Sequence, residues 1–207
     1  GGWVKRHGAE SAILHWVNAA GFILCIATGL LILKWIPNAI SVSPLYKIHY
    51  IGAGMILFAL STHLSEHWLL GSKRLLYRKG DLAEAYQEVL GYMGKRESQP
   101  REPGGKFLAT ERGLSFPVWG VIVAVILVTG FFKVSAHLTD FPTGFMVLFT
   151  EVHKWATVVA ILMLIGHAGA VIAIRQNWPL LKSMLTTRVP EEYVKQHHPA
   201  WYDELQR

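Results

Sequence analysis

The alternation of apolar and polar stretches divides the chain into four long apolar runs joined by polar connections. The runs cover approximately residues 12–33, 48–70, 116–136 and 152–174, and each approaches or exceeds the ~20 residues that a helix needs to cross a bilayer. The first run follows Trp3-Val4-Lys5-Arg6-His7. It is longer than the apolar region of a signal peptide and lacks an obvious small-residue cleavage site, so it reads as a retained span. The expected fold is all-α: an integral membrane four-helix bundle in one domain over residues 1–207, with a cytoplasmic loop helix in the inner loop 71–115 and a C-terminal tail at 175–207.

The connections carry further pattern. Asp81-Leu82-Ala83-Glu84 resembles a capping box, and Leu82, Tyr86, Val89, Leu90 and Met93 follow at helical spacing, which predicts a short amphipathic helix. Residues 95–106 are polar, with Pro100, Pro103, Gly104 and Gly105, and read as a linker. Pro190-Glu191-Glu192 predicts the start of a tail helix. The stretch 141–149, between the last two spans, is unusually apolar and reads as a surface helix docking the bilayer or a partner's anchor helix. Trp35, Trp119, Trp155 and Trp178 suit aromatic belts at the two interfaces.

Composition agrees with a membrane protein. Apolar residues make up 52% of the chain and charged ones 16%, against about 25% charged in an average soluble domain. The charge distribution orients it. Sixteen of the twenty Lys and Arg fall on the side holding residues 1–11, the loop 71–115 and the tail; the other side has Lys34, Lys47, Lys133 and Lys154. That asymmetry predicts cytoplasmic N- and C-termini. It also accounts for the net charge of +6, so nucleic acid binding is an unneeded explanation. The single cysteine, Cys25, excludes an internal disulfide and any cysteine-ligated cluster. It reads as a small buried hydrophobe. Any metal is therefore expected on histidines.

Six histidines lie in the spans: His15, His49, His63, His67, His153 and His167. Ionisable groups at that depth are costly and usually functional. His153 and His167 are 14 residues apart on the fourth span. Fourteen helical residues rise about 21 Å and leave the two side chains within about 40° of one face. One imidazole then sits near the outer end and the other in the inner half, as two stacked haems require. Two histidines close both axial positions of a haem iron, which suits electron transfer rather than substrate binding. His49 opens the second span at the depth of His153. The inner partner of His167 is either His15, near the inner end of the first span, or His63, itself 14 residues from His49. Spacing leaves both open. His67 lies one turn beyond His63 and faces the inner headgroups. Lys47, Lys133 and Lys154 are outer candidates for haem propionates, and Arg6 is an inner one.

These residues resemble the cytochrome b (gamma) subunit of membrane-bound respiratory formate dehydrogenase. The resemblance runs from Leu14-His15-Trp16 through Ile48-His49 and the His153/His167 pair to His197-His198-Pro199-Ala200-Trp201-Tyr202, similar to that family's HHPxWY ending. It implies two haem b groups, the inner held by His15 and His167 and the outer by His49 and His153. It implies a multi-pass protein of the bacterial inner membrane that takes electrons from an iron–sulfur subunit with a membrane anchor helix. It further implies that a separate molybdenum or tungsten subunit oxidises the donor and that this chain passes electrons to menaquinone or ubiquinone near the cytoplasm. Such a chain is the subunit of a quinone-reducing oxidoreductase that lacks the catalytic centre. The family's quinone site uses an Asn-Ala-Gly-Gln stretch before the third span. Here the corresponding residues are Leu108-Ala109-Thr110-Glu111-Arg112-Gly113, so Glu111 and Arg112, with Glu66 and His67, are the polar candidates. The cytochrome b subunits of nickel–iron hydrogenases share the four-span plan and give the alternative reading.

Overall fold

The structure is a computed structural model that describes residues 1–70, 76–95 and 104–207, with the side chains of Glu66, His67, Trp68 and Leu70 left aside. The side chains of His67 and Glu66, the candidate quinone residues on the second span, therefore lie outside the described part of the structure. Four helices are long and apolar enough to cross a membrane: α1 (Ala9–Ile32), α2 (Val42–Leu70), α4 (Phe116–Ser135) and α5 (Thr143–Ala173). A short helix, α3 (Asp81–Tyr92), lies in the loop between the second and third spans.

Local chemistry fixes where these helices start and stop. The first begins after extended Gly8, with Glu10 in its first turn facing the positive end of the helix dipole. It ends where Lys34 adopts the left-handed conformation at φ 58°, and the Asn38 side-chain amide donates to the Leu31 carbonyl at 3.0 Å. The third span opens through a π-helical turn, Glu111–Ser115. Pro117 lies just beyond and lacks an N–H for the regular ladder, which explains a widened turn at this position.

The four spans pack as two hairpins, α1 with α2 and α4 with α5. At the first crossing Gly21 and Gly52 face each other. A Cβ on Gly52 would come within 2.9 Å of both the Gly21 carbonyl and Cys25 Sγ, so backbone meets backbone there. Phe22, Ile56, Val123 and Ala160, one from each span, form a common core at mid-height. Phe22 meets Trp119 edge-on at 5.5 Å. The outward faces, including Ile23, Ile51, Phe58, Val121, Leu162 and Ile165, are exposed and apolar, as a lipid-facing surface must be.

Two local expectations are corrected. The stretch 141–149 is not a separate surface helix: α5 starts after Pro142 and runs unbroken for 31 residues. No helix breaker separates Thr143 from His153, so the apolar stretch forms the first turns of the fourth span. There Phe149 stacks on Phe132 of α4 at 4.7 Å. Nor does a capping box open α3. Its N-cap is Gly80 at φ 96°, and Asp81 is the first helical residue. The Asp81 carboxylate instead accepts the Arg78 N–H at 2.7 Å and pairs with Arg112, 31 residues away.

Both termini lie at one end, hereafter the termini end. Strands β1 (Trp3–Lys5) and β2 (Arg188–Pro190) form a two-stranded antiparallel ribbon, an addition to the all-α expectation. Around it gather α6 (Trp178–Thr186), α7 (Glu191–His197) and α8 (Pro199–Leu205). Val189, Val194 and Trp201 make a small buried core. The motif residue His198 is its keystone: Nδ1 donates to the Gly105 carbonyl at 2.7 Å and Nε2 faces Arg6 Nη1 at 3.5 Å. Arg6 also donates to the Lys106 carbonyl at 3.2 Å and lies over the Trp201 ring. Arg6, the inner propionate candidate, is thus buried against the tail.

Burial, reinforced by the Arg6 charge, pushes the His198 imidazole down from 6.5 to about 4. An undocked tail binds a proton that the docked tail refuses. Docking stability is therefore complete above pH 6.5 and falls as the pH drops towards 4, by on the order of 3 kcal/mol. Amide exchange across residues 188–202 should accelerate over that interval, and the acid-dependent part should shrink in a His198→Gln variant.

Candidate functional site

Each hairpin brings imidazoles to two levels. At the far end, opposite the termini, His49 in the early turns of α2 meets His153 in the early turns of α5, with ring centres 6.3 Å apart. At the termini end, His15 in the second turn of α1 meets His167, late in α5, also at 6.3 Å. Metal–imidazole distances are about 2 Å and a ring nitrogen lies about 1.1 Å from its ring centre, so two imidazoles sharing one iron have centres about 6 Å apart. Both pairs meet that requirement. His63, the other candidate for the termini-end position, is exposed on α2; the ring that pairs with His167 is that of His15.

The donor set is informative in its smallness. Among the described residues no three His, Cys, Asp or Glu side chains converge on one point. Each level thus offers two imidazoles and no third donor, which would suit a metal whose remaining ligands come with a macrocycle. Glycines border the far-end rings. A Cβ on Gly29 would lie 3.8 Å from His49 Cε1, and one on Gly130 would lie 3.4 Å from His153 Cε1. At both positions no side chain stands against the edge of the imidazole. The residues present fit a bis-histidine haem at each level.

Two residues missed by sequence reasoning stand behind the far-end pair. Thr28 Oγ1 lies 2.8 Å from His49 Nδ1, and Thr129 Oγ1 lies 2.9 Å from His153 Nδ1. A signal existed: Thr28-Gly29 and Thr129-Gly130 repeat the same dipeptide on spans one and three. The partners are 21 and 24 residues apart in the chain, however, so nothing local joins them.

The charged candidates separate by environment. Lys133 is partly buried near the far-end pair and donates to Thr150 Oγ1 at 2.8 Å. Lys154 is paired with Glu151 at 2.6 Å and lies over Trp155, and Lys47 is exposed. Arg112 is buried, donating to both Asp81 carboxylate oxygens at 2.8 and 3.2 Å and to the Phe107 carbonyl. Burial alone would raise the Asp81 carboxyl, but the hydrogen bonds from Arg112 and the Arg78 N–H outweigh it and hold Asp81 below its ordinary value. Glu111 Oε2 accepts the Leu108 N–H at 2.7 Å, and Glu88 accepts from the N–H groups of Ala109 and Thr110. Carboxylates thus satisfy the open donors where the third span begins. A cleft of about 250 Å³ lies alongside, lined by charged residues such as Asp81, Glu88 and Arg112 together with apolar ones such as Phe107, Leu108 and Ala200. None of the span histidines lines it.

Four membrane-crossing helices with imidazole pairs at two depths define an integral membrane protein of the cytochrome b type. The family described as prokaryotic cytochrome b561 matches residues 6–187, and the chain belongs to it. Membership makes it a haem b protein of transmembrane electron transfer. Two relatives are the proteins named formate dehydrogenase, cytochrome b556(fdo) subunit, of Escherichia coli strain K12 and of Escherichia coli O157:H7. Each is 22% identical over 212 residues, spanning 99% of this chain and 94% of the relative.

Proposed function

We propose that this chain is the diheme membrane subunit of a respiratory formate dehydrogenase. It would carry electrons between an iron–sulfur partner at the far end and a membrane quinone at the termini end. The observation that carries the reading is the duplicated imidazole pair, His49–His153 and His15–His167, each at 6.3 Å. A haem b held between each pair supplies a one-electron ferric/ferrous couple. His49 with His153 and His15 with His167 would hold the two groups, an arrangement that would suit electron transfer rather than substrate binding. The shared core of Phe22, Ile56, Val123 and Ala160 excludes water between the levels.

The basic excess at the termini end supports a cytoplasmic placement of both termini in a bacterial inner membrane. Quinone reduction takes two electrons and two protons. On this reading Glu111, at the opening of the third span, handles protons from the cytoplasm. Arg112 holds the same turn in place through Asp81. Donor oxidation belongs to a partner subunit, because this chain has one cysteine and no means to hold clusters.

The test is a pyridine haemochrome assay on the purified chain, followed by reduction of the purified complex with formate. About two b haems per chain, reduced by formate, is the expected result. Fewer than two in a folded protein would overturn the two-site reading. Reduction by hydrogen instead would keep both sites and move the donor to a nickel–iron hydrogenase.

A further inference from the structure

The two imidazole pairs differ in what stands behind them. At the far end each ring has a threonine hydroxyl on its Nδ1, with a backbone carbonyl beside it, that of Cys25 for His49 and that of Ile126 for His153. At the termini end the described contacts of His15 and His167 are with other rings: His15 with His167 and Trp16, and, close enough for an electrostatic interaction, with His63. We propose that Thr28 and Thr129 are a matched pair of positioning residues that fix the tautomer of the far-end imidazoles and make that haem site harder to reduce than the site at the termini end. The proposal rests on the bis-histidine haem reading.

The direction of each hydrogen bond follows from the geometry. A hydroxyl has one proton. Thr28 Oγ1 lies 2.6 Å from the Leu24 carbonyl, four residues back, and 3.2 Å from that of Cys25. Thr129 repeats this, at 2.6 Å from the Val125 carbonyl and 3.1 Å from that of Ile126. Carbonyl oxygens only accept, so the threonine proton goes to the backbone. Each threonine oxygen is then an acceptor towards its histidine, and the shared proton is the Nδ1–H. That leaves Nε2 as the lone-pair nitrogen of both His49 and His153, the one available to a metal.

An acceptor on Nδ1–H does more than orient the ring. It draws the proton away and raises the electron density that the other nitrogen donates, making the ligand more basic. A more basic axial ligand stabilises the ferric over the ferrous state and so lowers the reduction potential. Both far-end ligands carry this device, supplied by equivalent positions of two different hairpins, Thr28 of α1 and Thr129 of α4. With the donor at the far end, a lower potential there makes the one-electron passage to the termini end downhill.

Haem content and redox titration of purified protein separate this proposal from the reading beneath it. Wild type without two haems would sink the two-site reading; wild type with two haems puts the threonines to the test. In Thr28→Val and Thr129→Val, which keep shape and remove the hydroxyl acceptor while leaving the Cys25 and Ile126 backbone carbonyls in place, one of the two midpoints should rise and the other stay. About a tenfold change in the reduction equilibrium is expected for the double variant, equal to 59 mV for a one-electron couple. The low-spin ferric resonance of one haem should shift with it. Thr28→Ser and Thr129→Ser retain the hydroxyl and should retain the wild-type midpoints. If the double valine variant loses a haem, the single variants carry the test, each moving the same midpoint by a smaller step. Unmoved midpoints in the valine variants, equal movement of both midpoints, or serine variants that behave like valine would overturn the proposal.

Discussion

Replacing His15 with alanine is expected to lower the haem b content of the purified protein to about half, while His63→Ala leaves it unchanged. The contrast follows from the rings: His167 has the His15 imidazole 6.3 Å from its own. An iron held by His167 alone would be five-coordinate, loosely bound and open to exogenous ligands. The residual haem in His15→Ala should be the far-end one, with its midpoint and ferric resonance as in wild type. Electron transfer from formate to quinone should fall to background in the complex, because the level next to the quinone is lost. His153→Ala makes the complementary variant and should remove the far-end haem instead. Measurement requires only haemochrome spectra, protein quantitation and a quinone reduction assay. Loss of haem in His63→Ala, with His15→Ala unaffected, would transfer the termini-end ligand to the second span.

The reason sequence alone leaves His15 against His63 open is geometrical. A 14-residue spacing places His49 and His63 on one face of α2 at two depths, but it does not say which helix that face meets at each depth. The spans themselves were legible because their signal is local: about twenty consecutive apolar residues. The β1–β2 ribbon was not, since its two strands of three residues are brought together from opposite ends of the chain and carry no periodicity of their own. Asp81 misled for a similar reason. Its position suggested a local cap, whereas Arg112 claims its carboxylate from 31 residues away. The HHPxWY ending was visible as a motif without a role. Its role lies in the burial of His198 and Trp201 between the N-terminal residues and the loop, which no reading of the tail alone could give. Thr28 and Thr129 escaped because a threonine in an apolar helix is unremarkable until the ring opposite is known.

Gly52→Leu should be the most damaging substitution that touches neither a histidine nor a charge. At this position the added Cβ alone would stand 2.9 Å from the Gly21 carbonyl and from Cys25 Sγ, and 3.1 Å from Leu24 Cβ. An obstruction by a flexible side chain could be relieved by a rotamer change. Here the Gly21 carbonyl belongs to the helix itself, so relief requires α1 and α2 to separate. Overpacking a core costs about 1–3 kcal/mol where side chains can adjust, and a backbone obstruction between two spans costs more. The separation would also reach the far-end site. His49 lies three residues before Gly52 on α2, and its hydrogen bond to Thr28 crosses the same interface. The expected outcome is little folded protein recovered from the membrane, a lowered melting temperature in detergent, and loss of haem from the His49–His153 level before the other. Gly21→Leu should reproduce the defect, since a Cβ there meets the Gly52 carbonyl at 2.8 Å and Ile56 Cγ1 at 2.9 Å. Gly54→Leu is the control: it lies on the same helix, exposed, with nothing within 4 Å of an added Cβ, and it should retain normal yield and haem content. Equal tolerance of leucine at positions 52 and 54 would mean that the first hairpin is not held by the glycine crossing. The fit of His49 to His153 would then have to come from the α4–α5 side.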